Sequence, residues 1–111
     1  MENKFTKLRL QFIESAFIEF GTVNRSLLCE TFGISVITAS RDMYKYSLLN
    51  TGFKCNNSTK QWEKLNTFVP TKGLLSMAPD TLILRIEQLF EIKLAQVAVK
   101  TRMGVVQNGT E

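Results

Sequence analysis

The side chains best suited to chemistry in this chain are hydroxyl, cationic and aliphatic groups that recur at helical spacing between residues 37 and 45. At about 100° per residue, six of them fall on one side of a helix: Ile37, Thr38, Ser40, Arg41, Tyr44 and Lys45. Arginine can bridge O6 and N7 of guanine, hydroxyls can reach bases or phosphates, and an aliphatic group can touch a thymine methyl. This side is therefore suited to the major groove of DNA.

The other side of the same helix has the composition of a face that packs on its own domain. It carries the apolar or small residues Val36, Ala39, Met43 and Tyr46, whereas Asp42 lies at the margin of the first side and is the only acid there. A helix face that only meets water is more often rich in Glu and Lys at i,i+4 spacing. Residues 36–46 are thus predicted to form a recognition helix, meaning a helix that enters a DNA groove.

The segment before this helix supplies the turn that would position it. Asn24 is a good N-cap for a short helix that ends near Phe32, and Gly33 can adopt the positive φ that ends a helix. Ser35 then caps the next helix. Two capped helices joined by about three residues around a glycine are typical of a helix-turn-helix. A generic αα-hairpin has the same spacing, so the pattern alone leaves both interpretations open.

A β-hairpin is predicted directly after the recognition helix. Residues 53–55 and 61–65 form two short strands, and the Asn-Asn-Ser-Thr run at 56–59 tolerates the positive φ of a tight turn. Alternation predicts that Phe53, Cys55 and Trp62 point inward, and that the outward side carries Lys54, Gln61 and Glu63. Thr22 and Val23 are a short extended link that could add a strand to this sheet. A hairpin in this position is a wing.

The wing tip is expected to contact the sugar-phosphate backbone through Asn57 and Lys60. An ordinary solvated lysine in a loop is the alternative for Lys60. The remaining expected DNA contacts divide by role. Base edges would be met by Thr38, Ser40 and Arg41, and phosphates by Arg25, Ser35 and Lys45.

An amphipathic helix with a broad aromatic face is predicted before the helix-turn-helix, over residues 4–20. Its apolar stripe consists of Phe5, Leu8, Phe12, Ala16 and Phe20, widened by Ile13 and Phe17. Packing against the helix-turn-helix explains most of this face. A share in a dimer interface is the alternative, because the phenylalanines exceed what two short helices can cover.

A further helix is predicted from Pro79 to about residue 100, with Asp80 in its first turn. Its apolar stripe is wider than one small domain can bury, and an exposed patch of that size favours aggregation. We therefore expect a two-fold homodimer, and packing within one chain is the alternative. The expected interface residues are Leu82, Ile83, Ile86, Leu89, Phe90, Leu94 and Val97.

Composition limits the possible functions. The net charge is +4, and residues 21–64 hold six Lys or Arg against three Asp or Glu, so +3 of it lies in the segment predicted to meet phosphate. The chain has no histidine and two cysteines, too few for a zinc site or for a Ser-His or Cys-His pair. We expect no metal, no cofactor, no small-molecule effector and no enzymatic activity.

The length of 111 residues fits one domain. We expect a winged helix-turn-helix domain over residues 1–100, whose C-terminal part (about 79–100) is the dimerisation helix, and a flexible tail over 101–111. The fold class is mainly α with a small β-hairpin: a winged helix-turn-helix with added N- and C-terminal helices. The N-terminus is not a signal peptide and no stretch is long and apolar enough to span a membrane, so a soluble cytoplasmic protein is expected.

Several stretches of the chain resemble known families of regulators. The run FGISVITASRDM is similar to the recognition segment of DeoR-type repressors. The longer run RLQFIESAFIEFGTVNRSLLCETFGIS, the AS-x-D step and the later KCNNSTKQWEKLNTFVP resemble the DNA-binding region of CapW/BrxR-type regulators, over roughly residues 8–95. The resemblance implies a bacterial or phage transcriptional repressor of a phage-defence locus. In that family a WYL ligand-sensing domain follows the winged helix, and these 111 residues do not include one.

Three function hypotheses remain. The first is a sequence-specific transcriptional regulator that binds double-stranded DNA as a homodimer on an inverted repeat. The second is a protein-interaction module, such as an antirepressor that pairs with a related full-length regulator. The third, an enzyme accessory or RNA-binding subunit, has no supporting motif. The first two differ in their response to salt, because only phosphate contacts release counterions.

Overall fold

The computed structural model describes residues 3–90, which form four helices and three short strands. The elements in chain order are α1 (Lys4–Phe20), β1 (Thr22–Val23), α2 (Arg25–Phe32), α3 (Val36–Ser47), β2 (Phe53–Asn56), β3 (Gln61–Lys64) and α4 (Pro79–Phe90). A helix-turn-helix, α2–α3, is followed by a hairpin, β2–β3, and flanked by α1 and α4. The predicted fold class is confirmed.

Local signals set the ends of α1 where the sequence predicts them. The Asn3 side chain accepts a hydrogen bond from Thr6 N at 2.8 Å, and Gly21 ends the helix at φ 80°. The aromatic face of α1 is covered within the chain, since Phe12 and Phe17 are fully buried. Phe5 departs from the prediction and is exposed, because the first turn of α1 borders an open groove instead of the core.

The sheet is antiparallel, with β3 in the centre between β1 and β2. Val23 pairs with Trp62, and Cys55 pairs with Trp62 from the other side. Thr22 and Val23 thus form the third strand. The predicted alternation is wrong at two positions: Cys55 is exposed and Gln61 is buried. Cys55 lies near the end of the edge strand β2, whereas Gln61 lies on the central strand.

An aromatic cluster ties the recognition helix and the hairpin to α1. The Phe17 ring lies 5.7 Å from the Tyr46 ring and 5.0 Å from the Phe53 ring, and Phe53 lies 5.6 Å from Tyr46. Phe68, after the hairpin, approaches the same Phe17 ring at 6.0 Å. Elements that are distant in sequence therefore share one core, and α3 and the wing keep a fixed relative position.

A buried carboxylate holds the loop after the hairpin against α1 and α3. Glu14 is fully buried and accepts hydrogen bonds from the Tyr46 hydroxyl, from Thr71 N at 2.6 Å and from Thr71 Oγ1 at 2.9 Å. The Asn50 amide contacts the same carboxylate at 3.4 Å and donates to the Val69 carbonyl at 2.8 Å. The C-terminal end of α3 is therefore anchored by polar as well as aromatic contacts.

The α4 helix packs on α1 of the same chain. Leu82, Ile83 and Ile86 are buried, and the Phe90 ring meets Phe32 edge-to-face at 5.5 Å. The helix begins at Pro79 as predicted and is described to Phe90. The predicted continuation over residues 91–100 and the predicted tail over 101–111 lie outside the described residues.

Candidate nucleic-acid interface

Two capping interactions set the turn between α2 and α3. Gly33 has φ 67°, and its N–H donates to the Cys29 carbonyl at 2.8 Å, which ends α2. The Ser35 hydroxyl oxygen accepts from Thr38 N at 3.1 Å and so caps α3. Both features follow from the sequence, because only glycine adopts positive φ without a Cβ penalty and serine is a preferred N-cap.

The inner side of α3 is defined by burial. Ala39, Met43 and Tyr46 are buried as predicted, and so is Asp42, which the sequence placed at the margin. Asp42 accepts from Arg9 on α1, with Nε–Oδ2 at 2.5 Å and Nη2–Oδ1 at 3.3 Å. Val36 was expected on this side, and that expectation is wrong. Its side chain is 58% exposed, and the buried side of α3 includes Asp42 instead.

The outer side of α3 is a continuous surface that other parts of the described chain leave open. Its members line one shallow depression: Val36, Ile37, Ser40, Arg41, Tyr44, Lys45 and Leu48. We call these seven residues the α3 outer face. It contains Arg41 and Lys45 but no carboxylate, because the only acid of α3 is the buried Asp42. This face can therefore approach a polyanion without like-charge repulsion from its own helix.

The structure brings five of the predicted contact residues together on this face: Ile37, Ser40, Arg41, Tyr44 and Lys45. Ser35 and Thr38 lie at the first turn beside it, where the Ser35 hydroxyl also donates to Thr38 Oγ1 at 3.1 Å. Sequence reasoning missed Val36 and Leu48. The i+4 row of residues 36, 40, 44 and 48 is the signal that could have found them, because residues four apart share one side of a helix.

Arg25, at the first turn of α2, is exposed and lies over the wing. Its guanidinium carbon is 5.3 Å from the centre of the Trp62 ring on β3. A cation over an aromatic face is favourable by about 0.5–1 kcal/mol at an exposed site. The contact links α2 to the central strand and holds a positive charge at their junction.

The wing tip carries Asn57 and Lys60 on an exposed turn. The side-chain oxygen of Asn56 accepts a hydrogen bond from Ser58 N at 3.0 Å, and the backbone carbonyl of Asn56 accepts one from Lys60 N at 2.8 Å. Lys60 has φ 61°, the left-handed region, which residues other than glycine seldom adopt. Lys60 is exposed on this turn even though the backbone conformation there is unfavourable for lysine.

A family comparison identifies the class of domain that carries these features. The chain matches the winged helix-turn-helix domain of the BrxR transcriptional regulator over residues 6–77, which covers α1, the helix-turn-helix and the hairpin. The chain belongs to this family. It is a DNA-binding regulator domain of the BrxR type, and such domains are typically non-enzymatic. The comparison with curated proteins gave no match.

Five of the seven predicted dimer residues lie in the described part of the BrxR-type domain, and their surroundings differ. Leu82, Ile83 and Ile86 are buried on α1 of their own chain, so they have little surface to offer a second copy. Phe90 is partly buried against Phe32, and Leu89 is exposed. Leu94 and Val97 lie outside the described residues.

Other kinds of site find little support in the described part of the BrxR-type domain. Residues 3–90 contain no group of three or more His, Cys, Asp or Glu side chains placed to hold a metal ion. None of the helices described is both long and apolar enough to cross a membrane. Cys29 and Cys55 are free thiols, and burial raises the pKa of Cys29, which disfavours its reactive thiolate form.

Proposed function

We propose that this BrxR-type domain acts as a transcriptional repressor that binds an inverted-repeat operator as a homodimer. The observation that carries the proposal is the arrangement of charge on α3: Arg41 is exposed on the outer face, while Asp42 is buried in its ion pair with Arg9. A helix with this arrangement can lie in a major groove, where its N-terminal residues meet base edges.

The DNA contacts divide by position in the fold. Thr38, Ser40 and Arg41 lie in the first two turns of α3 and meet base edges, with Ile37 and Tyr44 beside them. Ser35 stands at the N-terminus of α3, where the helix dipole favours a phosphate. The other phosphate contacts come from Lys45, from Arg25 above Trp62, and from Asn57 and Lys60 on the wing.

The homodimer forms through surface that α1 and α4 still expose. Leu89 is exposed near the end of the described part of α4, and Phe5 and Phe90 line one groove with Leu8, Phe32 and Ile34. An isologous contact through this region would place two α3 helices on the same duplex. Half-sites would then be about 10 base pairs apart, or a multiple of that.

The regulated locus follows from the resemblance to BrxR-type repressors of phage-defence genes. Repressors of such loci need an operator close to the promoter that they control. The DNA upstream of the gene for this chain is therefore the first place to search for the operator.

The alternative is an antirepressor that pairs with a related full-length regulator. One observation favours it: four of the seven residues on the α3 outer face are apolar or aromatic, namely Val36, Ile37, Tyr44 and Leu48. Such a face could bind protein instead of DNA. Binding through apolar contacts would change little with salt, whereas DNA binding weakens with a log–log slope of about −0.9 per phosphate neutralised.

The test is a selection of bound fragments from a pool that contains random DNA and the upstream region of the gene. The proposal predicts enrichment of an inverted repeat, and binding of that sequence should weaken steeply between low and moderate salt. Arg85→Ala is a control variant, because Arg85 is an exposed arginine on α4 outside the α3 outer face. It should bind the enriched sequence as the wild type does. A selection that enriches no sequence would contradict the proposal. Enrichment of a sequence without symmetry would contradict the homodimer.

A further inference from the structure

The first turn of α3 exposes two neighbouring aliphatic side chains. Val36 is 58% exposed and Ile37 is 66% exposed, and both belong to the α3 outer face. Both are β-branched, so each has few χ1 rotamers and holds its methyl groups in nearly fixed positions. Two stiff aliphatic groups that are exposed together at the start of a recognition helix are suited to contact an apolar group of the binding partner.

The neighbours of this pair define which part of the DNA it would meet. Residues four apart lie one above the other on a helix, so Val36 is one turn before Ser40, and Ile37 is one turn before Arg41. The N-terminal end of a recognition helix is the part that meets base edges. The aliphatic pair therefore faces the same groove as the hydroxyl and the guanidinium.

The C5-methyl group of thymine is the only methyl group on the base edges of the major groove in unmodified DNA. The polar groups there are hydrogen-bond donors and acceptors, which an aliphatic side chain would leave unpaired. We propose that Val36 and Ile37 select operators by contact with thymine methyl groups. This inference rests on the proposed function and adds the base chemistry that the first turn of α3 recognises.

The geometry also limits where the thymines lie. One helical turn rises 5.4 Å, and successive base pairs are about 3.4 Å apart. The thymines should therefore lie one or two base pairs from the base that Arg41 contacts. Since guanine is the preferred partner of arginine, each half-site should contain a guanine with a thymine next to it or one position further along.

The experiment replaces thymine by uracil, which removes only the methyl group. An operator is first selected from random DNA, and each thymine of its half-site is then replaced in turn in synthetic duplexes. We expect affinity to fall about fourfold at each thymine whose methyl group is contacted, the effect of exposing one buried carbon group. Ile37→Ala and Val36→Ala should each abolish the effect at one position while the other position stays sensitive.

Val69→Ala is the matched control, because Val69 is also exposed and lies in a loop outside α3. It should keep the full sensitivity to uracil, and thermal unfolding should show that all three variants fold.

The outcomes separate this inference from the proposed function. An enriched operator whose affinity is indifferent to uracil would overturn the role of Val36 and Ile37 and leave DNA recognition standing. Equal uracil sensitivity in wild type and in both variants would also overturn it, because another residue would then contact the methyl group. A selection that enriches no sequence would overturn both proposals.

Discussion

Arg9 on α1 and Asp42 on α3 form a two-point ion pair at the junction of the two helices, with Nε–Oδ2 at 2.5 Å and Nη2–Oδ1 at 3.3 Å. The Asp42 side chain is 2% exposed and the Arg9 side chain is 15% exposed. The planar guanidinium matches both carboxylate oxygens, which fixes direction as well as distance. This pair lies on the same side of α3 as the buried Ala39, Met43 and Tyr46, and it keeps the one negative charge of α3 away from the outer face.

Removing either partner of this pair should lower the free energy of unfolding, and the decrease should differ between the two variants. Arg9→Met leaves the buried carboxylate of Asp42 unpaired, for which about 3–5 kcal/mol is typical. Asp42→Asn should cost less, because the partly exposed guanidinium of Arg9 can reach water. Urea unfolding of both variants measures the difference. Equal stability of wild type and Arg9→Met would show that the ion pair does not hold α3.

The buried contact between Tyr46 and Glu14 predicts a loss of stability in alkali. Burial, and then the hydrogen bond to Glu14, raise the pKa of Tyr46 well above its usual value near 10. Above pH 10 the unfolded chain releases this proton while the folded chain keeps it. The free energy of unfolding should therefore fall as pH rises, by up to about 1.4 kcal/mol per pH unit.

Tyr46→Phe should remove this part of the pH dependence and cost about 1–3 kcal/mol near neutral pH, because a buried acceptor loses a donor. Tyr44→Phe makes the same change at an exposed position of the same helix and should alter neither quantity. Unfolding measured between pH 8 and about 11 would test both variants. An alkaline profile of Tyr46→Phe that matches the wild type would contradict this assignment.

Much of the fold was predictable because its signals are local. Asn24, Gly33 and Ser35 act through hydrogen bonds within a few residues, so the ends of α2 and the start of α3 follow from residue type and spacing. The rotation of α3 was only partly predictable. Arg9 is 33 residues before Asp42, and without that contact Val36 looks like a core residue and Asp42 like a surface one.

The wing shows the same limit on prediction. The turn residues and the alternation of the strands indicated a hairpin, and a hairpin is present. The exposure of Cys55 goes with the edge position of β2, and the burial of Gln61 goes with the position of β3 between two strands. Those are tertiary relationships, which no pattern within the hairpin itself specifies.

The wing should contribute one phosphate contact through Lys60. Lys60→Asn removes the charge but keeps a residue that tolerates positive φ, so the turn should survive. We expect weaker binding to all DNA sequences alike and a log–log salt slope that is less steep by about 1. Lys72→Asn is the control at an exposed loop lysine outside the hairpin and α3. An unchanged salt slope in Lys60→Asn would show that Lys60 does not contact a phosphate.

The proposed dimer should depend on Leu89. Leu89→Asp places a charge on exposed surface of α4, so it should separate the subunits and leave the fold of each intact. Val69→Asp makes the same kind of change at a site of nearly equal exposure, 69% against 68%, and should leave the dimer intact. Sedimentation measures both. A dimer that persists in Leu89→Asp would exclude this surface from the interface.

The most direct test of DNA recognition by the α3 outer face is the affinity of Arg41→Ala for the selected operator, measured beside the wild type at one fixed salt concentration. We expect Arg41→Ala to lose about 1–3 kcal/mol of binding free energy and to show a weakened preference for one base pair of each half-site, whereas Arg85→Ala should bind as the wild type does. Superimposable isotherms for Arg41→Ala and the wild type would contradict the assignment of the α3 outer face to DNA.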